Sequence, residues 1–219
     1  MTERNASELG EAFWERRWDI ARRESRGALR QANKTMTDTA GQLTPGAALD
    51  AGCGDGVDAT WLASRGWDVT AVDFVATALE RGRDHADRLG PEVAARIDWV
   101  RADLSTWTPP AAAFDLVSAH YLHGVAQRFE LFRRLASAVR PGGTLLIVGH
   151  HPSNLDISGG AMQEAVFFTT ADVLAVLDEN WTLVTVEDDV PRRDVTDGAG
   201  RAVTLRSAVV RARRKSRRN

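Results

Sequence analysis

Cysteine occurs once, at Cys53, so no internal disulfide can form, and a reducing, cytoplasmic setting is the expectation. No apolar run approaches the roughly 20 residues of a membrane span. The stretch MTERNASELGEAFWERRW is polar and charged, which sets aside a secretory signal. Internal repeats and low-complexity linkers are also missing, which argues against solenoids and tethered modules. Net charge is small, −2 overall, but unevenly spread: RARRKSRRN at 211–219 holds six basic residues and the remainder is acidic. An acidic body argues against a broad nucleic-acid surface. The basic end is expected to be a solvated, disordered tail.

What is present is the composition of one globular domain: 219 residues, 43% hydrophobic and 26% charged, long enough to bury a substantial core. From Ala47 onward, strand and helix periodicities alternate. AALDAG reads as a buried first strand, VDATWLASR as a helix stopped by Gly66, and DVTAVDF as a second strand. The next helix places Val75, Leu79, Gly82, Ala86 and Leu89 on one face and ends at Gly90-Pro91. IDWVRAD, FDLVSAHY and TLLIVGH read as strands three to five. Between the last two, Phe129, Phe132, Leu135 and Val139 mark a buried helical stripe. Such alternation predicts an α/β, Rossmann-like, doubly wound sheet with parallel strands. WTLVTVEDDV and AVTLRSAVVRA follow with no helix between them, so an antiparallel strand pair is expected at the C-terminal end. The predicted organisation is a helical N-terminal cap over 1–46, the ligand-binding domain it covers over 47–210, and the basic tail over 211–219.

In an open parallel sheet, ligands bind beyond the carboxyl ends of the strands, near the point where strand order reverses. Strand one ends there in Gly52-Cys53-Gly54-Asp55-Gly56, strand two in Asp73-Phe74 and strand three in Asp103-Leu104. Asp73 follows the glycine loop at the distance expected of a carboxylate that grips ribose hydroxyls. A nicotinamide dinucleotide fits less well, because Val57 stands where its fingerprint has a third glycine. Asp50 and Asp55 also flank the loop, and a pyrophosphate is repelled by them. An adenosine ligand with a cationic amino-acid end suits these charges, which favours S-adenosyl-L-methionine.

LDAGCGDG, VTAVDF, VRADLSTW, FDLVSAHYLHG and RPGGTLLIVGH resemble, in order and spacing, the motifs of class I S-adenosylmethionine-dependent methyltransferases. The likeness spans Ala47 to His150. Within that superfamily it points to small bacterial members related to the thiopurine and tellurite-resistance methyltransferases, whose early FWE helix matches Phe13-Trp14-Glu15 with Trp18. Of their Trp-Gly-x-Pro-Asn segment only Asn33 is kept. The resemblance implies that Gly52, Gly54 and Gly56 pass under the methionine part and that Asp50 lies near its ammonium. It also implies that Asp73 binds the ribose and Phe74 packs on adenine, while Asp103 and Leu104 read the adenine edge. Ser118 faces the sulfonium side in this scheme, and Trp18 covers the cofactor with Trp14 beside the acceptor. S-adenosyl-L-homocysteine is the expected product.

Four of the five histidines, His120, His123, His150 and His151, fall at the ends of strands four and five. His123 and His150 are the candidate bases, and His120, Tyr121 and His151 the candidate acceptor contacts. No Cys or carboxylate accompanies them at metal-ligand spacing, so no metal is expected. His85 reads as structural or exposed. Cys53, inside a tight loop with no adjacent base, reads as a small packing residue. PSNLDISGGAMQEAVFF reads as a loop over the acceptor side or a plain surface connection, with a Gly159-Gly160 hinge. DNA amino-methylation is disfavoured because no Asp/Asn-Pro-Pro-Tyr/Trp motif follows strand four, and cytosine C5 methylation because the one thiol sits in the glycine loop. The expected reaction is methyl transfer to a small heteroatom acceptor. An NAD(P)-dependent oxidoreductase and a non-catalytic S-adenosylmethionine-binding protein are the rival readings.

Overall fold

Seven strands pair in the order β3-β2-β1-β4-β5-β7-β6 in the computed structural model, which describes residues 15–16, 31–122, 127–155, 166–196 and 200–216. The strands are β1 (Ala47–Ala51), β2 (Asp68–Asp73), β3 (Ile97–Arg101), β4 (Phe114–His120), β5 (Val139–His150), β6 (Trp181–Thr196) and β7 (Ala202–Arg214). Strands β1 to β5 run parallel, and β7 is antiparallel to both β5 and β6. The expected α/β class and its antiparallel pair are therefore as the alternation predicts. Strand order reverses between β1 and β4, so the crevice beyond their carboxyl ends is the ligand position for this topology.

Both faces of the sheet are covered by helices: α1 (Lys34–Ala40), α2 (Val57–Ser64), α3 (Ala76–Leu89), α4 (Pro91–Ala94), α5 (Arg128–Ala138) and α6 (Thr170–Leu174). β1 serves two cores at once, as a fully buried parallel strand must. Leu49 and Ala51 join the cluster with Phe132 and Leu135 of α5, whereas Ala48 joins Met36 of α1 and Leu62 of α2. On α3, Leu79, Gly82 and Ala86 face inward, but Leu89 at its last position is exposed. The predicted stripe on α5 shifts in the same way. Phe129 is exposed and Leu131 is buried beside Phe132 and Leu135, because the helix starts at Arg128 and its first turn overhangs the sheet.

Two boundaries differ from the sequence reading. β5 begins at Val139, and Pro141-Gly142-Gly143 forms an irregularity within it, where the register against β4 jumps from Val139 to Thr144. A proline without an N–H interrupts the ladder there, and Gly142 supplies φ 86°. The predicted tail over 211–219 also begins too early. Residues 211–214 belong to β7, with Ala212 fully buried and Arg213 paired with Thr144. Alternation places Arg211 and Arg213 on the face opposite Ala212, while Arg214 donates to the Val139 carbonyl, so the strand continues through the basic residues. Of the predicted cap, α1 packs Met36 and Ala40 into the core, while residues 1–14 and 17–30 lie outside the described residues. The β6–β7 hairpin outruns β5: His150 pairs with Ser207, and the pairing continues to Thr196 opposite Ala202. Its end therefore projects past the carboxyl edge of the sheet.

Candidate cofactor and acceptor site

The loop after β1 is shaped by three left-handed residues, Gly52, Gly54 and Gly56, with φ of 74°, 55° and 68°. Only glycine takes such angles without strain. The Gly52 and Cys53 amides both donate to the Val72 carbonyl, at 2.8 and 3.0 Å, which ties the loop to β2. Asp73 completes the tie. One carboxylate oxygen accepts from Gly54 N and the other from Val75 N, each at 2.9 Å. The loop also rests on an indole that sequence reasoning missed. A Cβ on Gly56 or Gly82 would lie 2.2 or 2.4 Å from Cη2 of Trp99, so the two glycines make room for that ring. A tryptophan in the short strand IDWVR, opposite a helical glycine, was the available signal.

Asp50 lies on the face of β1 turned toward α2 and is buried. Its Oδ2 has no hydrogen-bond partner, and its Oδ1 is 3.5 Å from the Ser118 hydroxyl, which also donates to the Leu49 carbonyl at 3.2 Å. Burial pushes the Asp50 carboxyl well above the ordinary range, and the nearby Asp58 and Asp73 carboxylates push it further. A buried oxygen without a partner is costly unless a ligand supplies one. Ser118 is itself fully buried, so it supports Asp50 from within the sheet and does not stand on its edge. Burial, then Asp50 and Asp73, also raise the Cys53 thiol, which keeps it protonated and unreactive.

Asp58 is the second residue that sequence reasoning missed. It sits in the first turn of α2 and accepts from both the backbone N and Nδ2 of Asn33, each at 2.7 Å. Its Oδ2 lies 3.5 Å from His120 Nδ1 at the end of β4, with both side chains more than nine-tenths buried. Burial lowers the His120 pKa; Asp58 opposes that shift and Arg192 adds to it.

Around the rim, Phe74 is half-buried after β2, and Leu104 is buried after β3. Asp103 is exposed beside it and accepts from Ser105 N at 2.8 Å, forming its own turn. Glu15 accepts from Ala76 N at 2.9 Å and from the Thr77 hydroxyl, capping α3 next to Phe74. Trp14 and Trp18 of the same predicted helix lie outside the described residues, as do His123 and the Gly159-Gly160 hinge.

The three described edge histidines separate into different settings. His120 joins the Asp58 cluster. His150 is buried, its ring 4.9 Å from that of Tyr121 and 6.2 Å from that of Phe167. His151 instead caps the short turn Pro152–Asn154: its Nδ1 accepts from Ser153 N at 3.2 Å and lies 3.5 Å from an Asp189 oxygen. It is therefore held among the carboxylates of β6 and is not turned toward the glycine loop. Tyr121 has φ 51°, shares a 3.0 Å hydrogen bond with Ser207, and carries the Arg192 guanidinium 3.8 Å from its ring centre. His85 is buried within α3, where burial lowers its pKa. Leu122 closes on Gly52. It also lines a small apolar cleft together with Ala119, Leu131, Phe132, Ile147 and Phe168. Among the described residues, no group of three or more His, Cys, Asp or Glu side chains is gathered for a metal ion.

Residues 48–143 match the family described as a methyltransferase domain. An uncharacterized methyltransferase of Mycobacterium tuberculosis is 42% identical over 101 residues, covering 46% of this chain and 48% of that protein. Trans-aconitate 2-methyltransferase of Sinorhizobium medicae is 32% identical over 117 residues, covering 52% of this chain and 42% of that protein. The chain thus spans about half the length, or less, of the curated relatives it matches. In fold it is similar to magnesium protoporphyrin IX methyltransferase from Synechocystis PCC 6803 with bound S-adenosylhomocysteine. The TM-score is 0.67 at 17% identity, covering 96% of this chain and 100% of that one. Residues 48–143 are thus similar to a methyltransferase domain, and the sheet that carries them is similar in fold to that of the Synechocystis enzyme.

Proposed function

We propose that the chain transfers a methyl group from S-adenosyl-L-methionine to a sulfur, oxygen or nitrogen atom of a small-molecule acceptor. The observation that carries this reading is the unpartnered Asp50 oxygen, buried beside three left-handed glycines at the switch point. An anionic recess of this kind suits an ammonium and repels a pyrophosphate. Bound there, the cofactor supplies an activated methyl group on a cationic sulfur.

The residues of the chain then bind and align. Asp50 receives the ammonium, with Gly52, Gly54 and Gly56 allowing close backbone approach. Asp73, already holding the loop, has lone pairs left for ribose hydroxyls. Phe74 and Leu104 flank the base and Asp103 accepts from its amino group. Ser118 steadies Asp50. Trp18 covers the sulfonium, a contact worth about 0.5–2 kcal/mol, and Trp14 faces the acceptor with Tyr121, His120 and His150. Alignment of an in-line displacement contributes about 7–11 kcal/mol, more than the 10²–10⁴-fold of a typical base. The named acceptor of the Sinorhizobium relative is a small molecule, which supports that class here. Kinship with the thiopurine and tellurite-resistance enzymes rests on the FWE helix, whose Glu15 reaches α3. The lone cysteine supports a cytoplasmic location, and no described helix is long and apolar enough to cross a membrane.

Thermal shift tests the reading. S-adenosylhomocysteine at 100 times its dissociation constant is expected to stabilise the chain by about 2.7 kcal/mol. Stabilisation by NADH and not by S-adenosylhomocysteine overturns the assignment in favour of an oxidoreductase.

A further inference from the structure

We infer that His120, positioned by Asp58 and Asn33, is the group that takes the proton from the acceptor nucleophile. The inference rests on the methyltransferase reading above. It moves the base away from His123 and His150 to a residue whose surroundings hold it for that task.

The cluster is built from three separate parts of the chain. β4 ends at His120, one residue beyond Ala119, which pairs with Ala51 at the foot of the glycine loop. α2 starts directly after the loop and presents Asp58 to Nδ1 of His120 at 3.5 Å. Asn33 fixes the Asp58 carboxylate through two 2.7 Å hydrogen bonds, so the carboxylate has little freedom to turn away. Nδ1 lies on the Asp58 side without a hydrogen bond to it, and Nε2, on the other edge of the ring, is likewise buried and without a hydrogen-bond partner. A polar edge left bare inside a protein is costly. Binding a proton donor there removes that cost. The long Nδ1–carboxylate distance is of the kind that tightens when substrate arrives. Among the described residues, the groups near the ring are Asp58 from α2, Arg192 from β6 and the adjoining Tyr121. Burial and Arg192 together outweigh Asp58 and keep the imidazole neutral, which leaves it able to accept a proton.

In the step, the acceptor heteroatom forms a bond to the methyl carbon as the carbon–sulfur bond breaks. That electron pair remains on sulfur, which becomes a neutral thioether. The acceptor proton passes to Nε2, and the imidazolium beside Asp58 then returns it to solvent. His150 lies one strand farther from the glycine loop, against Tyr121 and Phe167. His120 is therefore the better placed of the two.

The test uses the full chain with S-adenosylhomocysteine as probe. Calorimetric titration of wild type, His120→Gln and Asp58→Asn reports cofactor binding. ¹⁵N-histidine spectra of the bound forms then report the protonation of His120, identified by its loss in His120→Gln. Expected is an affinity for His120→Gln within about threefold of wild type. In wild type His120 should be a neutral ring protonated at Nδ1 near neutral pH, and in Asp58→Asn that tautomer should be partly lost. A ring protonated at Nε2, or an imidazolium at pH 7.5, overturns the inference, since neither can accept a proton at Nε2. No binding of S-adenosylhomocysteine by wild type overturns the parent reading, and the proton transfer with it. On an acceptor that yields S-adenosylhomocysteine in a library screen, His120→Gln is expected to lower kcat by about 10²–10⁴-fold. A kcat within threefold of wild type, with melting temperature unchanged, overturns the role.

Discussion

Among the described residues, no cation pairs with the buried Asp50. Its carboxyl is raised above the ordinary value of 3.8 by burial, Asp58 and Asp73. A raised folded-state pKa means that the proton binds more tightly in the folded chain. Its contribution is fully present below the unfolded value and is lost as pH rises through the folded one. Asp50→Asn is therefore expected to melt at a higher temperature than wild type near pH 8, with the gap closing toward pH 4. Its affinity for S-adenosylmethionine should fall at the same time. Calorimetric melting across that range, with cofactor titration, checks both signs. A variant less stable than wild type at pH 8 would show that the carboxylate is satisfied in the folded chain. Asp50 was legible in LDAGCGDG because loop and strand are adjacent in sequence. Its missing partner was not, since burial is a property of the assembled sheet.

At the scale of elements, Trp99 links β3 to two glycines from different segments, Gly56 of the loop and Gly82 of α3. Gly82→Ala places a methyl group against the indole and is expected to destabilise by about 1–3 kcal/mol through overpacking. Trp99→Leu removes the ring, so the Gly82→Ala penalty should shrink in the double variant. A cycle of urea melts reads that coupling. Additive effects in the cycle would mean that the ring and the glycine do not press on each other. Farther along, ending the chain after Val210 removes the buried Ala212 and the pairing of residues 211–213 with Leu146, Leu145 and Thr144. Loss of the cooperative melt is expected, followed by far-ultraviolet circular dichroism. Periodicity located these strands and helices but misjudged their ends. Leu89, Phe129 and 211–214 are all terminal positions, where overhang or continued pairing decides burial and the hydrophobic pattern does not.

For the whole molecule, the strand order places the glycine loop, four buried or partly buried acids and the end of β4 around one crevice. The long β6–β7 hairpin flanks it and sends Arg192 back over Tyr121. The apolar cleft beside Leu122 opens on the α5 face, while His120 and Asp58 lie toward α2.

The sequence by itself determined the α/β class and the glycine loop, and it placed Asp50, Asp73 and Asp103 at or beside strand ends. Each of these is encoded by neighbours along the chain, through strand period, turn chemistry and the spacing of a strand end from its loop. Only the tertiary structure decided which histidine meets a buried carboxylate. Asn33, Asp58 and His120 lie on a helix cap, a helix start and a strand end, far apart in the chain. They meet because β4 pairs with β1, and α1 and α2 pack on the same face of the sheet. No local pattern carries that meeting, because strand pairing brings together residues whose separation in sequence is arbitrary.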